Sequence, residues 1–120
     1  MSNEFKNPIV YTELQTTDPA RAQAFYGELF GWKAEKEATP FGPYWMFQGQ
    51  LAGMTAPRDG LPAGWIPYVG SNDVTTATRR ARDLGAEVLR DCIAIPEGTF
   101  SVIKDPTGCV LGLFQSNRAQ

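Results

Sequence analysis

Apolar and polar side chains alternate from Ile9 to Thr16, which predicts a strand with Tyr11, Glu13 and Gln15 on one face and Val10, Thr12 and Leu14 on the other. The period then changes. In Asp18 to Trp32, DPARAQAFYGELFGW, apolar residues recur three and four apart at Ala22, Phe25, Tyr26, Leu29 and Phe30, the pattern of a helix with a broad apolar stripe for packing on a sheet. Arg21, Gln23 and Glu28 form its polar face. Both ends are marked: Asp18 can accept from the free amides of the first turn, Pro19 needs no partner at the first helical position, and Gly31 ends the helix. Trp32 to Ala38 alternates with many charges, as an edge strand does. TPFGP at residues 39–43 is a turn, Tyr44 to Gln48 an aromatic strand, and Leu51 to Thr55 a short strand after the Gly49-Gln50 turn. Parity alone does not say which face of Tyr44 to Gln48 looks inward.

The same order of elements returns after APRDGLPAG, residues 56–64, a Pro- and Gly-rich stretch long enough to be a linker. Trp65 to Gly70 reads as a strand, Ser71-Asn72-Asp73 offers caps, and Val74 to Leu84 is a helix with Val74, Ala77, Ala81 and Leu84 on its apolar stripe. Arg79, Arg80 and Arg82 fall outside the stripe near the helix C-terminus, where cations suit the dipole, so they read as a solvated face. Gly85 closes this helix. Strands are expected at Glu87 to Ile95, Thr99 to Lys104 and Cys109 to Gln115, separated by Pro96-Glu97-Gly98 and Asp105-Pro106-Thr107-Gly108 turns.

Two βαβββ modules follow from this repeat. Asp18 corresponds to Asp73, and LAGM at Leu51 to Met54 corresponds to VLGL at Val110 to Leu113. The predicted class is α+β, a single domain over residues 1–120 with module 1 at about 8–56, a linker at about 57–64 and module 2 at about 65–115. Each sheet has a helix on one face. An open opposite face lined with Tyr, Trp and Phe would be an exposed apolar patch, so the sheet is expected to curve into a cup, its helices outside, around a ligand or a partner subunit.

Composition narrows the function. A formal net charge of −2 gives no long-range attraction for nucleic acid or anionic lipid, and no apolar run approaches membrane-spanning length. The start, MSNEFKNP, has no cationic segment followed by an apolar core, so the expected location is cytoplasmic. Cys92 and Cys109 form no C-x-x-C pair and are expected to be reduced and structural.

TELQTTDPARAQAFYGELFGW, the strand opening at Trp65 with NDV after it, and KDPTGCVLGLFQ resemble the vicinal oxygen chelate superfamily of glyoxalases, extradiol dioxygenases and bleomycin-resistance proteins. The likeness covers nearly the whole chain and is strongest to small bacterial proteins related to lactoylglutathione lyase. It implies paired βαβββ modules forming a cup, often completed by a second subunit, hence a homodimer. It also implies a divalent metal held by His, Glu or Gln on the first and last strand of each module. Here those positions fall on Tyr11, Ile66, Gly53 and Gly112, and the chain has no histidine. None of the four is a usual ligand, so neither metal nor other cofactor is expected.

If Tyr11 faces inward, Glu13 and Gln15 do too; Ile66 brings Tyr68, and Gly112 brings Phe114. With Trp45 and Phe47 from the aromatic strand, these are the candidate ligand-binding residues. The two glycines would leave room for a bulky ligand, or would serve close packing. A desolvated Glu13 with a raised pKa could act as general base beside Tyr11; the alternative is a salt bridge. Three functions remain open: a metal-free protein binding a hydrophobic or aromatic small molecule, a small lyase or isomerase using Glu13 without metal or a metal through unusual ligands, or an interaction subunit whose cup is filled by its own side chains.

Overall fold

The computed structural model describes residues 6–39, 42–56 and 60–117. Two compact units divide the chain: residues 11–66 form one, and residues up to 10 with those from 67 onward form the other. Part of the expected 56–64 linker and part of the TPFGP turn lie outside the described residues. No helix among the described residues is long and apolar enough to cross a membrane.

In chain order the elements are β1 (Ile9–Gln15), α1 (Pro19–Phe30), β2 (Ala34–Thr39), β3 (Gly42–Phe47), β4 (Ala52–Thr55), β5 (Gly64–Gly70), α2 (Val74–Asp83), β6 (Glu87–Ile95), β7 (Gly98–Lys104) and β8 (Val110–Ser116). The class is α+β, built from βαβββ repeats as the sequence predicts. In the first repeat the strand order is β2-β3-β4-β1, antiparallel except for the parallel β1–β4 pair. The polar β2 is the edge, where its charges discourage further pairing. The second repeat runs β5-β8-β7-β6, again with one parallel pair, β5–β8. The two registers correspond: Glu13 pairs with Gly53, and Tyr68 with Gly112.

Both helices start as their sequences dictate. Asp18 accepts from the Arg21 amide at 3.0 Å and Asp73 from the Thr76 amide at 3.0 Å, and Gly31 closes α1 in the left-handed conformation at φ 73°. What the helices bury is less uniform. On α1, Ala22 and Tyr26 pack on a core of Leu14, Phe47, Ala52 and Met54, joined by Trp32, Ala34 and Trp45. Phe25, Leu29 and Phe30, expected on the same packing stripe, are 56%, 57% and 56% exposed. Five apolar positions make a stripe wider than the sheet can cover, and the ring of Tyr26 takes the central place. It lies against Phe47, Trp32 and Trp65 with centroids 6.0, 5.7 and 5.7 Å away, and its hydroxyl accepts from the Trp65 indole N–H at 3.2 Å.

On α2, Val74 is buried with Ile103 and Leu113, and Ala77 and Ala81 pack alongside, whereas Leu84 is exposed. The stripe is completed by Thr78, a residue whose polarity hides it from a hydrophobic pattern. Its hydroxyl donates to the Val74 carbonyl at 2.6 Å and lies 2.8 Å from the Ser101 hydroxyl. Ser101 Oγ also accepts from the amide of Cys92, a non-glycine residue at φ 50° where the β6 pairing slips. Arg82 pairs with Asp91 at 2.7 Å on the exposed side, in line with a solvated basic face.

Candidate functional site

Strand parity decides which side chains meet. Because Glu13 pairs with Gly53 and Met46 with Gly53, residues Tyr11, Glu13 and Gln15 of β1 share one face of the first repeat with Tyr44 and Met46 of β3. Trp45, which pairs with Met54, lies with Phe47 on the other face, packed toward α1. Of these two candidate ligand-facing residues, Phe47 is a core residue, 2% exposed, and Trp45 packs at the margin of that core. Tyr44 takes the place on the polar-bearing face. The chain gives no parity contrast that finds it, since Tyr44, Trp45 and Phe47 put large rings on both faces.

The polar groups on this face form one chain. Tyr44 donates to Glu13 Oε1 at 3.0 Å, and the Tyr11 and Tyr44 hydroxyls are 2.8 Å apart. With the Tyr44 proton directed at Glu13, Tyr11 is the donor to Tyr44. Gln15 Nε2 donates to Glu13 Oε2, so both carboxylate oxygens accept a hydrogen bond. The thioether of Met46 lies 3.5 Å from the Tyr11 hydroxyl. Glu13 and Gln15 are buried, and no buried side-chain polar atom among the described residues is left without a partner. Burial, then the charge of Glu13 and the neighbouring Tyr11, pushes the pKa of the Tyr44 phenol far above its ordinary value, so Tyr44 stays protonated and donating. Glu13 thus accepts from one amide donor and one phenol donor.

Gly53 explains how these groups converge. A Cβ on Gly53 would stand 2.2 Å from both the Tyr11 and the Tyr44 hydroxyl oxygens. The two phenols occupy the space that any side chain at this position would need. In the second repeat the same strand position behaves alike: a Cβ on Gly112 would stand 2.2 Å from the ring of Tyr68. Tyr68 is buried there, edge-on to Phe100 at 6.2 Å, and Phe114, paired with Phe100, shares that face. Ile66 is 2% exposed, and its carbonyl accepts from the Thr12 hydroxyl at 3.4 Å. Of the two sequence readings of the glycines, close packing is what the structure has; the space is filled by the chain's own aromatic rings.

This arrangement does not suit the divalent metal that the resemblance implies. The four strand positions present a phenol hydrogen-bonded to a second, strongly protonated phenol, a buried isoleucine, and two glycines covered by rings. Glu13 is one carboxylate, and no group of three His, Cys, Asp or Glu that could hold a metal occurs among the described residues.

Comparison with known proteins agrees with the architecture. Residues 11–114 match the glyoxalase-like domain family. The Mycobacterium bovis protein named "Putative glyoxylase CFP32" is 34% identical over 118 residues, covering 90% of this chain and 45% of that protein. The anthracycline biosynthesis protein DauV of Streptomyces sp. (strain C5) is 27% identical over 125 residues, covering 86% and 45%. This chain therefore spans less than half the length of these relatives. Among solved structures, hypothetical protein BH1468 from Bacillus halodurans C-125 superposes with a TM-score of 0.71 at 10% identity, covering 97% of this chain and 99% of that one. Streptomyces coelicolor methylmalonyl-CoA epimerase in complex with 2-nitronate-propionyl-CoA gives 0.70 at 18%, also covering 97% and 99%. At such identities the likeness is one of fold. With its repeated βαβββ modules and this match over most of its length, the chain belongs to the glyoxalase-like family of the vicinal oxygen chelate superfamily.

Proposed function

We propose that the chain is a small-molecule-binding member of this family that works without the usual metal, taking an aromatic or otherwise apolar ligand whose polar group joins the Tyr11–Tyr44–Glu13 hydrogen bonds. The observation that carries this reading is the buried chain of donors and acceptors at Gly53, a carboxylate with two phenols beside a thioether. A few directed polar groups among apolar ones set ligand orientation in small-molecule sites generally. Glu13 holds the Tyr44 hydroxyl, and Tyr44 in turn holds the hydroxyl of Tyr11. Relatives named for anthracycline biosynthesis support an aromatic ligand body.

A proton-transfer enzyme would use the same Glu13 as base. With both carboxylate oxygens already accepting hydrogen bonds, holding a ligand is the role the geometry supports better. Titration with a panel of phenols, quinones and polycyclic aromatic ketones, read by tryptophan fluorescence and by Tm, tests the proposal. At least one class is expected to raise Tm, and Tyr44→Phe to weaken its binding by about 1.5–3 kcal/mol, the range for one hydrogen bond to a charged partner. Undiminished binding by a Tyr11→Phe/Tyr44→Phe variant would overturn the site. Turnover of any panel member, abolished by Glu13→Gln, would favour the enzymatic reading instead.

A further inference from the structure

The protons of the Tyr11, Tyr44, Glu13 and Gln15 side chains run in one direction, and that direction limits what a ligand can be. Glu13 accepts at both oxygens, from Tyr44 at Oε1 and from Gln15 at Oε2, and bonds of this kind favour the ionised carboxylate. A carboxylate has no proton to give. Tyr44 gives its single hydroxyl proton to Glu13, and burial keeps that proton in place. Tyr11 in turn gives its proton to the Tyr44 oxygen at 2.8 Å, a nearer and stronger acceptor than the Met46 thioether at 3.5 Å. Turned toward Met46, the proton would still stay inside the group. Glu13 and Gln15 are buried, whereas Tyr11, Tyr44 and Met46 are half-buried and so within a ligand's reach. These three present two phenolic oxygens and a sulfur, and all three are acceptors.

We propose that the ligand's polar group is a hydrogen-bond donor, an O–H or N–H that adds to this series at the Tyr11 oxygen. The ligand class is then an aromatic alcohol or phenol rather than the ketone or ether of the same skeleton. This rests on the small-molecule reading above and narrows it. Tyr11 is the position because the Tyr44 oxygen already accepts from Tyr11 while giving its own proton to Glu13. A hydroxyl that donates becomes a better acceptor, so a series that ends on an ionised carboxylate strengthens each acceptor along it. A carbonyl in the same place would set its lone pairs against those of the phenolic oxygens. To receive it, the Tyr11 proton would have to turn outward, leaving two phenolic oxygens 2.8 Å apart with no hydrogen between them.

Matched probes test the direction. Fluorenol and fluorenone share a skeleton and differ in donor against acceptor, and naphthol loses only its donor in its methyl ether. With the wild-type chain, each hydroxyl compound is expected to bind about tenfold tighter than its partner by tryptophan fluorescence, the scale of one directed hydrogen bond in place of two opposed acceptors. Tyr11→Phe removes the receiving oxygen and leaves the Tyr44–Glu13 bond, so it is expected to weaken the hydroxyl compounds and bring both ratios close to one. Damage to the fold would weaken both members of a pair alike, and only a lost acceptor changes the ratio. Ketone and ether binding as tightly as alcohol and naphthol would overturn the inference and leave small-molecule binding standing. A ratio that Tyr11→Phe leaves intact would overturn the assignment to Tyr11. If neither member of either pair binds, the binding reading falls and the inference falls with it.

Discussion

Gly53 governs the candidate site by the atom it lacks. The Tyr11 and Tyr44 hydroxyls stand where its Cβ would be, so even one methyl group must push both phenols away from Glu13. Gly53→Ala is expected to cost about 1–3 kcal/mol in denaturant unfolding, as overpacking of a filled interior does, and to remove ligand binding along with the Tyr44–Glu13 hydrogen bond. A variant that kept wild-type stability would mean that the rings relax freely and that the convergence at Gly53 is incidental. Tyr11, Glu13 and Gln15 were legible as one face because a strand has a period of two. Tyr44 was not, because an aromatic strand with a large ring at nearly every position has no parity contrast to read. The pairing of Met46 with Gly53 settles it.

Caps and turns are where sequence and structure agree best, since the chemistry is local. Asp18→Ala removes the acceptor for the Arg21 amide and should destabilise by about 1 kcal/mol, while Asp18→Asn, which keeps an acceptor, should cost less; urea midpoints compare the two. Three aspartates make the acid limb of stability predictable. The Thr76 amide and hydroxyl lower the pKa of Asp73, the Arg82 guanidinium lowers that of Asp91, and the Thr107 hydroxyl with the Cys109 and Thr107 amides lowers that of Asp105, each from 3.8. A carboxylate with a depressed folded pKa contributes stability above its unfolded value and loses it as pH falls through the folded one. Urea midpoints should therefore hold steady above about pH 5 and decline from about pH 4 downward, with a shallower decline in Asp73→Asn/Asp105→Asn. A midpoint unchanged down to about pH 2.5 would contradict this. The α1 stripe shows what an element's own pattern leaves open. Periodicity identifies a helix and its apolar side, but whether Phe25, Leu29 and Phe30 are covered depends on how much surface the sheet presents, and Tyr26 uses most of it.

At the scale of the whole chain, the donor set carries the prediction that can fail most plainly. Zinc, nickel, iron or manganese added to protein first treated with chelator is expected to leave Tm unchanged, because phenols, isoleucine and glycine stand at the strand positions. A stoichiometric rise in Tm would mean that residues outside these positions bind metal. The sequence by itself determined the repeat of strand, helix and three strands and the caps that start both helices. All of these rest on contacts a few residues long or on periods that can be counted. Only the tertiary structure decided that Tyr44 rather than Trp45 or Phe47 joins Glu13, that Thr78 and Ser101 form a buried polar contact under α2, and that the glycines are filled by rings. Those outcomes depend on register between strands distant in the chain, and a one-residue change of register would turn the strand side chains among them to the opposite face.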